Sequence, residues 1–252
     1  ILTAEGYQVR NAAQGIVEKS TETLEWDVES AQKKGYEHFM LKEMMEIPET
    51  IENALRGRLI AKTGEVQLGG LRDVLPRLQK AKRFIITGCG SASYAGKIGA
   101  LLFEELAGIP AEVEIASELR YRRFAGSAQE TVLIAISQSG ETLDTLEALK
   151  EAKRQGMFTL GIVNAVGSTI ARETGAGVYN HAGPEISVAS TKAFISQITV
   201  LTLIAVLLGR HRGLSGARGI ALVDALLKLP GKAREVLSRA SEVERVAEKY
   251  AG

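Results

Sequence analysis

The sequence has little of what would place it in several common protein classes. Its 252 residues include one cysteine and three histidines. No disulfide can form within the chain, which excludes a secreted scaffold held together by disulfides. The cysteine and the histidines lie too far apart in the sequence for us to expect a structural zinc site. Lysine and arginine number 31 against 30 acidic residues, a net charge of +1. Binding to nucleic acid through charge is therefore not expected.

Long hydrophobic runs are also scarce. The most apolar stretch, residues 193–209, is interrupted by four polar residues, Ser196, Gln197, Thr199 and Thr202. It is short for a membrane span and instead predicts a fully buried helix. The N-terminus shows no signal-peptide pattern, so we expect a cytoplasmic chain without a membrane partner.

The first 32 residues differ from the rest. Apolar and polar residues alternate in short runs at 7–10, 15–18 and 24–28, which predicts short strands joined by turns. These strands are too few to bury a core of their own. Residues 32–35 then have the composition of a linker.

Two helices and then a regular alternation follow. Apolar residues at helical spacing predict helices at 37–56, which Pro48 should end or kink, and at 71–80. Short apolar runs then predict five strands, at 83–87, 112–115, 131–136, 158–163 and 177–180. The helical patterns around them cover 93–107, 142–155, 168–174, 189–209 and 218–249, the last broken near Pro230. This alternation predicts a three-layer α/β/α fold around a parallel sheet.

Ligands of such sheets bind beyond the carboxyl ends of the strands, so the loops there are the candidate sites. The first loop, residues 88–93, begins like a dinucleotide fingerprint, but Ser93 stands where the third glycine belongs. It is either a tight turn that needs glycine or a turn that offers the Ser91 hydroxyl and backbone N–H groups to an anion. We expect Cys89 to be a small buried residue and not a nucleophile.

The second loop is more informative. Residues 137–142 read Ser-Gln-Ser-Gly-Glu-Thr and join a strand to a helix. Four polar side chains, a glycine and a helix N-terminus are the parts of a phosphate site without lysine. A helix cap by Ser139 is the simpler alternative, but one serine would suffice for it.

The third loop, residues 185–192, carries two serines, a threonine and a lysine before the long apolar helix. These residues either cap the helix or contact a polyhydroxylated ligand, because each sugar hydroxyl needs a donor and an acceptor.

Together these loops resemble the sugar isomerase (SIS) domain family. The loop at 137–142 is the main match. Four further stretches are similar to members that make an amino sugar phosphate from fructose 6-phosphate and glutamine-derived ammonia: 35–43, 108–113, 116–122 and 188–194. The resemblance covers nearly the whole chain. It implies a five-stranded parallel sheet in the flavodoxin-like order 2-1-3-4-5, flanked by extra helices.

The resemblance also implies a set of substrate-binding residues: Ser91, Ser137, Gln138, Ser139, Thr142, Val188 and Ser190. Those at 137–142 match the family's phosphate loop, Ser91 matches a hydroxyl residue facing the phosphate, and 188 and 190 match positions that line the sugar. Ala92 departs from the pattern, because the family has a ligand-binding hydroxyl there. We expect that Ser93 could replace it only from a different direction on the helix.

Family organisation implies three segments: residues 1–32 as the tail of a glutaminase domain, 33–70 as a linker with an N-terminal helix, and 71–252 as the first of two SIS halves. The glutamate, lysine and histidine that move protons belong to the second half and have no match here. The catalytic cysteine of the glutaminase domain has none either, since Ile1 begins this sequence. We therefore expect no catalytic residue in this sequence and no turnover by it alone.

The implied ligand is a sugar phosphate, namely fructose 6-phosphate or glucosamine or glucose 6-phosphate, bound by a homodimer that needs no cofactor or metal. Two alternatives remain. A regulatory sugar-phosphate module would carry a helix-turn-helix segment, which residues 1–32 do not resemble. A dinucleotide-binding oxidoreductase domain would need glycine at 93 and an acid closing the second strand, for which Glu114 or Glu118 could serve.

Overall fold

A computed structural model of the chain describes residues 1, 3–13, 15–18 and 32–251. They belong to two compact units, Ile1–Gln32 and Lys33–Gly252. In the first unit, Arg10 and Ile16 form an isolated antiparallel bridge. The runs around these two residues therefore meet at a bridge rather than in extended strands, and the strand expected at 24–28 lies outside the described residues.

The second unit contains the predicted alternation of strands and helices. In chain order its elements are α1 (Phe39–Met45), α2 (Ile47–Leu55), β1 (Leu59–Ile60), β2 (Glu65–Val66), α3 (Leu75–Lys80), β3 (Arg83–Gly88), α4 (Ser91–Ala107), β4 (Ala111–Ile115), α5 (Ala116–Leu119), β5 (Thr131–Ser137), α6 (Leu143–Arg154), β6 (Phe158–Val163), α7 (Thr169–Glu173), β7 (Ala176–Tyr179), α8 (Lys192–His211), α9 (Gly216–Leu237) and α10 (Ala240–Tyr250). The bounds of β3 to β7 agree with the prediction to within one residue.

Strands β3 to β7 form one sheet in the order β4-β3-β5-β6-β7, and every pair is parallel. Counted along the chain, this is the predicted order 2-1-3-4-5. Strand β4 lies on one side of β3, whereas β5, β6 and β7 follow on its other side, so β3 and β5 are neighbours. The loops after these two strands therefore lie side by side at the carboxyl edge, where open parallel sheets bind ligands.

Helices cover both faces of this sheet, as predicted. Successive strand residues point to opposite sides, so Phe84 and Ile86 pack with α4 and α8, whereas Ile85 packs with α5 and α6. All three side chains are fully buried. A strand buried on both faces reads as a continuous apolar run, which is why the sequence revealed these strands clearly.

Two prolines affect the helices differently. The helix expected at 37–56 is interrupted at Glu46, and Pro48 lies in the first turn of α2, where its missing N–H costs nothing. The break expected near Pro230 was wrong, because α9 continues through this buried residue to Leu237. Val223 and Leu226 are buried on α9 as well, and this packing outweighs the loss of one helical hydrogen bond.

Helix α8 is the most apolar of the three long helices α4, α8 and α9. Among the described residues it is the one helix with the length and hydropathy of a membrane span, at a mean hydropathy of 1.9, but 78% of that window is buried inside the fold. This agrees with the buried helix predicted for residues 193–209. Hairpin β1–β2 and the single turn α5 were not predicted, since elements of two to four residues show no measurable periodicity.

Candidate functional site

The turn between β3 and α4 forms one wall of the candidate site. Gly88 ends β3, and a Cβ atom there would lie 2.9 Å from the Ile136 carbonyl oxygen of β5. Because glycine has no Cβ, the ends of β3 and β5 can approach this closely. Gly90 adopts a left-handed φ of +56° and precedes the first residue of α4, Ser91. The 17-residue α4 thus points its N-terminus, which favours anions, at the carboxyl edge of the sheet.

The loop between β5 and α6 forms the second wall. The Ser137 hydroxyl oxygen accepts a hydrogen bond from the Gly140 N–H (3.0 Å) and lies 3.1 Å from the Thr142 hydroxyl. The Ser139 hydroxyl oxygen accepts from the Glu141 N–H at 3.1 Å. Ser137 is buried and Ser139 is exposed. Ser137 therefore fixes the shape of the loop, while Ser139 keeps its O–H proton available for a ligand.

Gly140 and Glu141 give this loop its direction. Gly140 has a φ of +67°, and a Cβ atom there would lie 2.0 Å from the Ser168 hydroxyl oxygen. Glu141 turns away from the cavity, because its carboxylate accepts the Thr169 N–H at 2.7 Å at the start of α7. This backbone hydrogen bond from Thr169 holds the pKa of Glu141 below its ordinary value. The negative side chain of the loop thus accepts a hydrogen bond at the start of α7 and does not face the proposed phosphate.

The loop before α8 forms the third wall. The Glu185 carboxylate accepts from the Ser190 hydroxyl (2.9 Å) and from the N–H groups of Thr191 (2.9 Å) and Ala193 (3.1 Å). It therefore caps the helix, and the loop serines that we considered as caps do not. Val188 lies at the tip of this loop with its side chain fully exposed.

These three walls enclose a cavity of about 140 Å³ at the carboxyl edge of the sheet. Its lining is Cys89, Ser91, Ala92, Ile136, Ser137, Gln138, Ser139, Thr142, Ser190 and Gln197. Six of the seven residues expected to bind substrate are brought together here, and Val188 is the exception. Gln197 was not proposed as a site residue, although a glutamine within an apolar run was a usable signal.

Three neighbouring residues refine the expectations for the first wall. Cys89 was expected to be buried, but it is partly exposed to the cavity, and the Thr145 hydroxyl donates to its sulfur at 3.8 Å. Ala92 lines the cavity with a methyl group, where the resemblance implies a hydroxyl in other members. The Ser93 hydroxyl donates to the Gly90 carbonyl at 2.7 Å and is buried, so it points into the turn and does not replace the missing group.

No lysine or arginine of the described residues lines this cavity. An anion there would be stabilised by hydroxyl and N–H groups and by the N-terminal ends of α4 and α6, which no side chain of the described residues caps. A larger cavity of about 340 Å³ lies elsewhere, against β2, α3 and α8, with Arg72 and Arg210 in its walls. None of the residues that line it belongs to the loops after β3 and β5. The smaller cavity is the better candidate, because several convergent polar groups surround it.

A buried charge cluster supports the third wall. The Glu43 carboxylate accepts from the Ile186 N–H (2.6 Å) and from the backbone N–H and the hydroxyl of Ser187. Glu46 binds the ammonium groups of Lys42 (3.3 Å) and Lys192 (2.7 Å). This cluster could not be predicted from the sequence, since charges within a helical pattern usually lie on a solvated face.

The ionisation of Glu46 follows from this pairing. Burial by itself raises its pKa, but the hydrogen bonds and charges of Lys192 and Lys42 outweigh burial and lower it below the ordinary value of 4.5. Glu46 is therefore charged at neutral pH and ties the corner between α1 and α2 to the start of α8.

Comparisons with known proteins agree with this geometry. The SIS domain family model matches residues 77–207. The chain is 44% identical over 249 residues to glutamine–fructose-6-phosphate aminotransferase (isomerizing) of Chlorobaculum tepidum, covering 99% of this chain and 40% of the relative. It is 43% identical over 236 residues to aminotransferase 1 of this name from Arabidopsis thaliana, covering 92% of this chain and 35% of the relative. The chain thus spans about two fifths of these relatives.

A solved structure is similar as well. It is the C-terminal domain of glucosamine-fructose-6-phosphate aminotransferase from Francisella tularensis, with a TM-score of 0.80 and 33% sequence identity. The match covers 86% of this chain and 60% of that one.

Proposed function

Since this chain belongs to the SIS domain family, we propose that its cavity binds the phosphate of fructose 6-phosphate, as the first half of the isomerase domain of a glucosamine-6-phosphate synthase. One observation supports this most strongly. Two helix N-termini and the hydroxyls of Ser91, Ser139 and Thr142 converge on one cavity, and none of the described residues lining it has a cationic side chain. Such a site suits a phosphate monoester on a neutral sugar.

The proposed roles follow from the contacts. Ser139 donates its O–H proton to a phosphate oxygen, since the Glu141 N–H occupies one of its lone pairs. Ser137 and Gly140 hold the loop in shape, and Ser91 and Thr142 add donors from either side. The sugar extends towards the third wall, where Ser190 lies. Val188 belongs to the proposed site through the family resemblance alone.

In the proposed reaction of the whole protein, ammonia condenses with the C2 carbonyl of fructose 6-phosphate, water leaves, and the resulting imine isomerises to glucosamine 6-phosphate. The isomerisation moves one proton from C1 to C2 and another from the C1 hydroxyl to the nitrogen, which general acids and bases perform without a metal or redox cofactor. The residues of this chain bind and orient the phosphorylated end. The proton-transferring groups are proposed to come from the second SIS half.

We also propose a homodimer in the cytoplasm, on the strength of the family resemblance. The surface of α4 supports the dimer, because Tyr94, Ile98 and Leu101 share one face at helical spacing and expose 60%, 39% and 67% of their areas. Sedimentation velocity tests this point: the chain should sediment as a dimer, and Leu101→Lys should shift it towards the monomer.

A titration tests the binding function. Fructose 6-phosphate and glucosamine 6-phosphate should both bind the 252-residue chain and raise its melting temperature, whereas fructose should do neither. Ligand at a hundred times its Kd stabilises a fold by about 2.7 kcal/mol, which a thermal-shift assay detects readily. Equal effects of fructose and its phosphate would contradict the proposal.

A further inference from the structure

The third wall of the cavity is held in place by side chains and not by backbone pairing. Its loop, residues 184–190, lies between β7 and α8, and among the described residues it forms no backbone–backbone hydrogen bond. Backbone groups that lack such partners are paired by side chains or by water. The position of this wall therefore depends on the side chains that bind its backbone.

Two carboxylates bind this loop. Glu185 belongs to the loop itself and caps the start of α8. Glu43 comes from α1, 143 positions before Ile186, and among the described residues it is the one side chain from outside the loop and α8 that hydrogen-bonds to the loop. Its link to the loop is therefore what fixes the third wall relative to the rest of the fold.

The contacts of Glu43 are well suited to this task. Its Oε1 atom accepts the N–H groups of Ile186 at 2.6 Å and Ser187 at 3.2 Å, and its Oε2 atom accepts from the Ser187 hydroxyl. The Glu43 side chain exposes only 1% of its area. Hydrogen bonds to a carboxylate are stronger than those between neutral groups, and burial limits competition from water.

The held residues lie beside those expected to meet the sugar. Val188 follows Ser187 directly, and Ser190 lines the cavity, whereas Glu43 does not line it. We propose that Glu43 is a positioning residue, which holds the third wall against the cavity and thereby sets the affinity for the sugar part of the ligand. This inference rests on the proposed binding of a sugar phosphate in the same cavity.

The role of Glu43 is confined to one part of the ligand. Among the described residues its hydrogen bonds go to Ile186 and Ser187 and none goes to the loops after β3 and β5, which are proposed to bind the phosphate. A loop that occupies its binding position only a tenth of the time raises the apparent Kd about tenfold. Loss of Glu43 should therefore weaken ligands that reach the third wall and spare those that carry the phosphate alone.

Glu43→Ala is the test variant, and two ligands are titrated by phosphorus NMR, which measures weak affinities. The first is fructose 6-phosphate, and the second is propyl phosphate, which has no sugar to reach the third wall. We expect the Kd of fructose 6-phosphate to rise about three- to tenfold and that of propyl phosphate to stay unchanged. Hydrogen–deuterium exchange should accelerate at the Ile186 and Ser187 amides and stay the same in the loop at 137–142.

Two substitutions at the same position sharpen the test. Glu43→Asp keeps the charge but is one methylene too short for these contacts, so it should show the same selective loss even if Glu43→Ala does not fold. Glu43→Gln should keep the Kd of fructose 6-phosphate within about twofold, because its Oε1 still accepts the Ile186 N–H. Its Nε2 can donate to the Ser187 hydroxyl, whose proton then goes to the Ala189 carbonyl at 2.8 Å.

Val223→Ala is the control for stability. Val223 is fully buried on α9 and does not line the cavity. Its truncation should lower the urea midpoint of unfolding by leaving a void in the core, and both ligand affinities should stay unchanged. A selective loss in Glu43→Ala then reports the position of the wall and not the stability of the fold.

Four results overturn the inference. In the first, Glu43→Ala binds fructose 6-phosphate as tightly as the unmodified chain. In the second, it weakens both ligands equally. In the third, Glu43→Gln loses as much affinity as Glu43→Ala, and in the fourth, Val223→Ala shows the same selective loss. The proposed function survives all four, whereas failure of the unmodified chain to bind fructose 6-phosphate overturns both proposals.

Discussion

Replacing Ser139 by alanine removes one proposed phosphate donor without disturbing the core. The side chain is exposed, and its one hydrogen bond among the described residues is the one it accepts from the Glu141 N–H, which water can replace. A hydrogen bond to a charged acceptor contributes about 1.5–3 kcal/mol. The Kd of fructose 6-phosphate should therefore rise roughly ten- to a hundredfold, since 1.4 kcal/mol corresponds to a factor of ten. Ser139→Asp should weaken binding further, because it places a like charge beside the phosphate.

Ser137→Ala provides the comparison. The Ser137 hydroxyl is buried and accepts the Gly140 N–H, so its removal leaves a buried donor unpaired and should lower the free energy of unfolding by about 1–3 kcal/mol. Ser139→Ala should leave the unfolding free energy nearly unchanged. Isothermal titration with fructose 6-phosphate and urea denaturation of both variants separate the two effects. If Ser139→Ala keeps the full affinity for fructose 6-phosphate, Ser139 does not bind the phosphate and the reasoning is refuted.

Three further predictions concern the framework of the site. Gly140→Ala should destabilise the chain by about 2 kcal/mol in urea denaturation, and adding Ser168→Gly, which removes the clashing atoms at 2.0 and 2.4 Å, should recover part of that loss. The lowered pKa of Glu46 stabilises the fold above pH 4.5 and loses that effect as the pH falls, so the stability advantage over Glu46→Gln should shrink between pH 6 and 3. Alkylation of Cys89, the single cysteine, should be slowed by fructose 6-phosphate and not by fructose.

Most of the fold could be predicted from the sequence, because strands buried on both faces appear as continuous apolar runs. Residues 131–136 and 158–163 are examples, and the strand order followed from the family resemblance. The break expected near Pro230 failed for a physical reason. A local rule about proline was outweighed by a buried helix face, which involves residues distant in the sequence.

The parts of the candidate site that lie in loops directly after strands could be predicted from the sequence. The parts contributed by segments far away in the sequence could not. Ser91 and Ser137 could be placed together, since adjacent parallel strands bring their carboxyl ends to one edge. The support of the third wall by Glu43 could not, because 142 residues separate it from the loop it holds at Ile186. Gln197 interrupts an apolar run in the sequence, but only the folded structure shows that it lines the cavity.

The central claim is that the phosphate of a hexose 6-phosphate binds between the β3–α4 and β5–α6 loops. The most direct measurement is a crystal structure of the 252-residue chain soaked with fructose 6-phosphate. We expect phosphate oxygens within hydrogen-bonding distance of the Ser139 and Thr142 hydroxyls, at the N-terminus of α6. A phosphate bound instead in the larger cavity beside Arg72 and Arg210, with the loop at 137–142 empty, would contradict it.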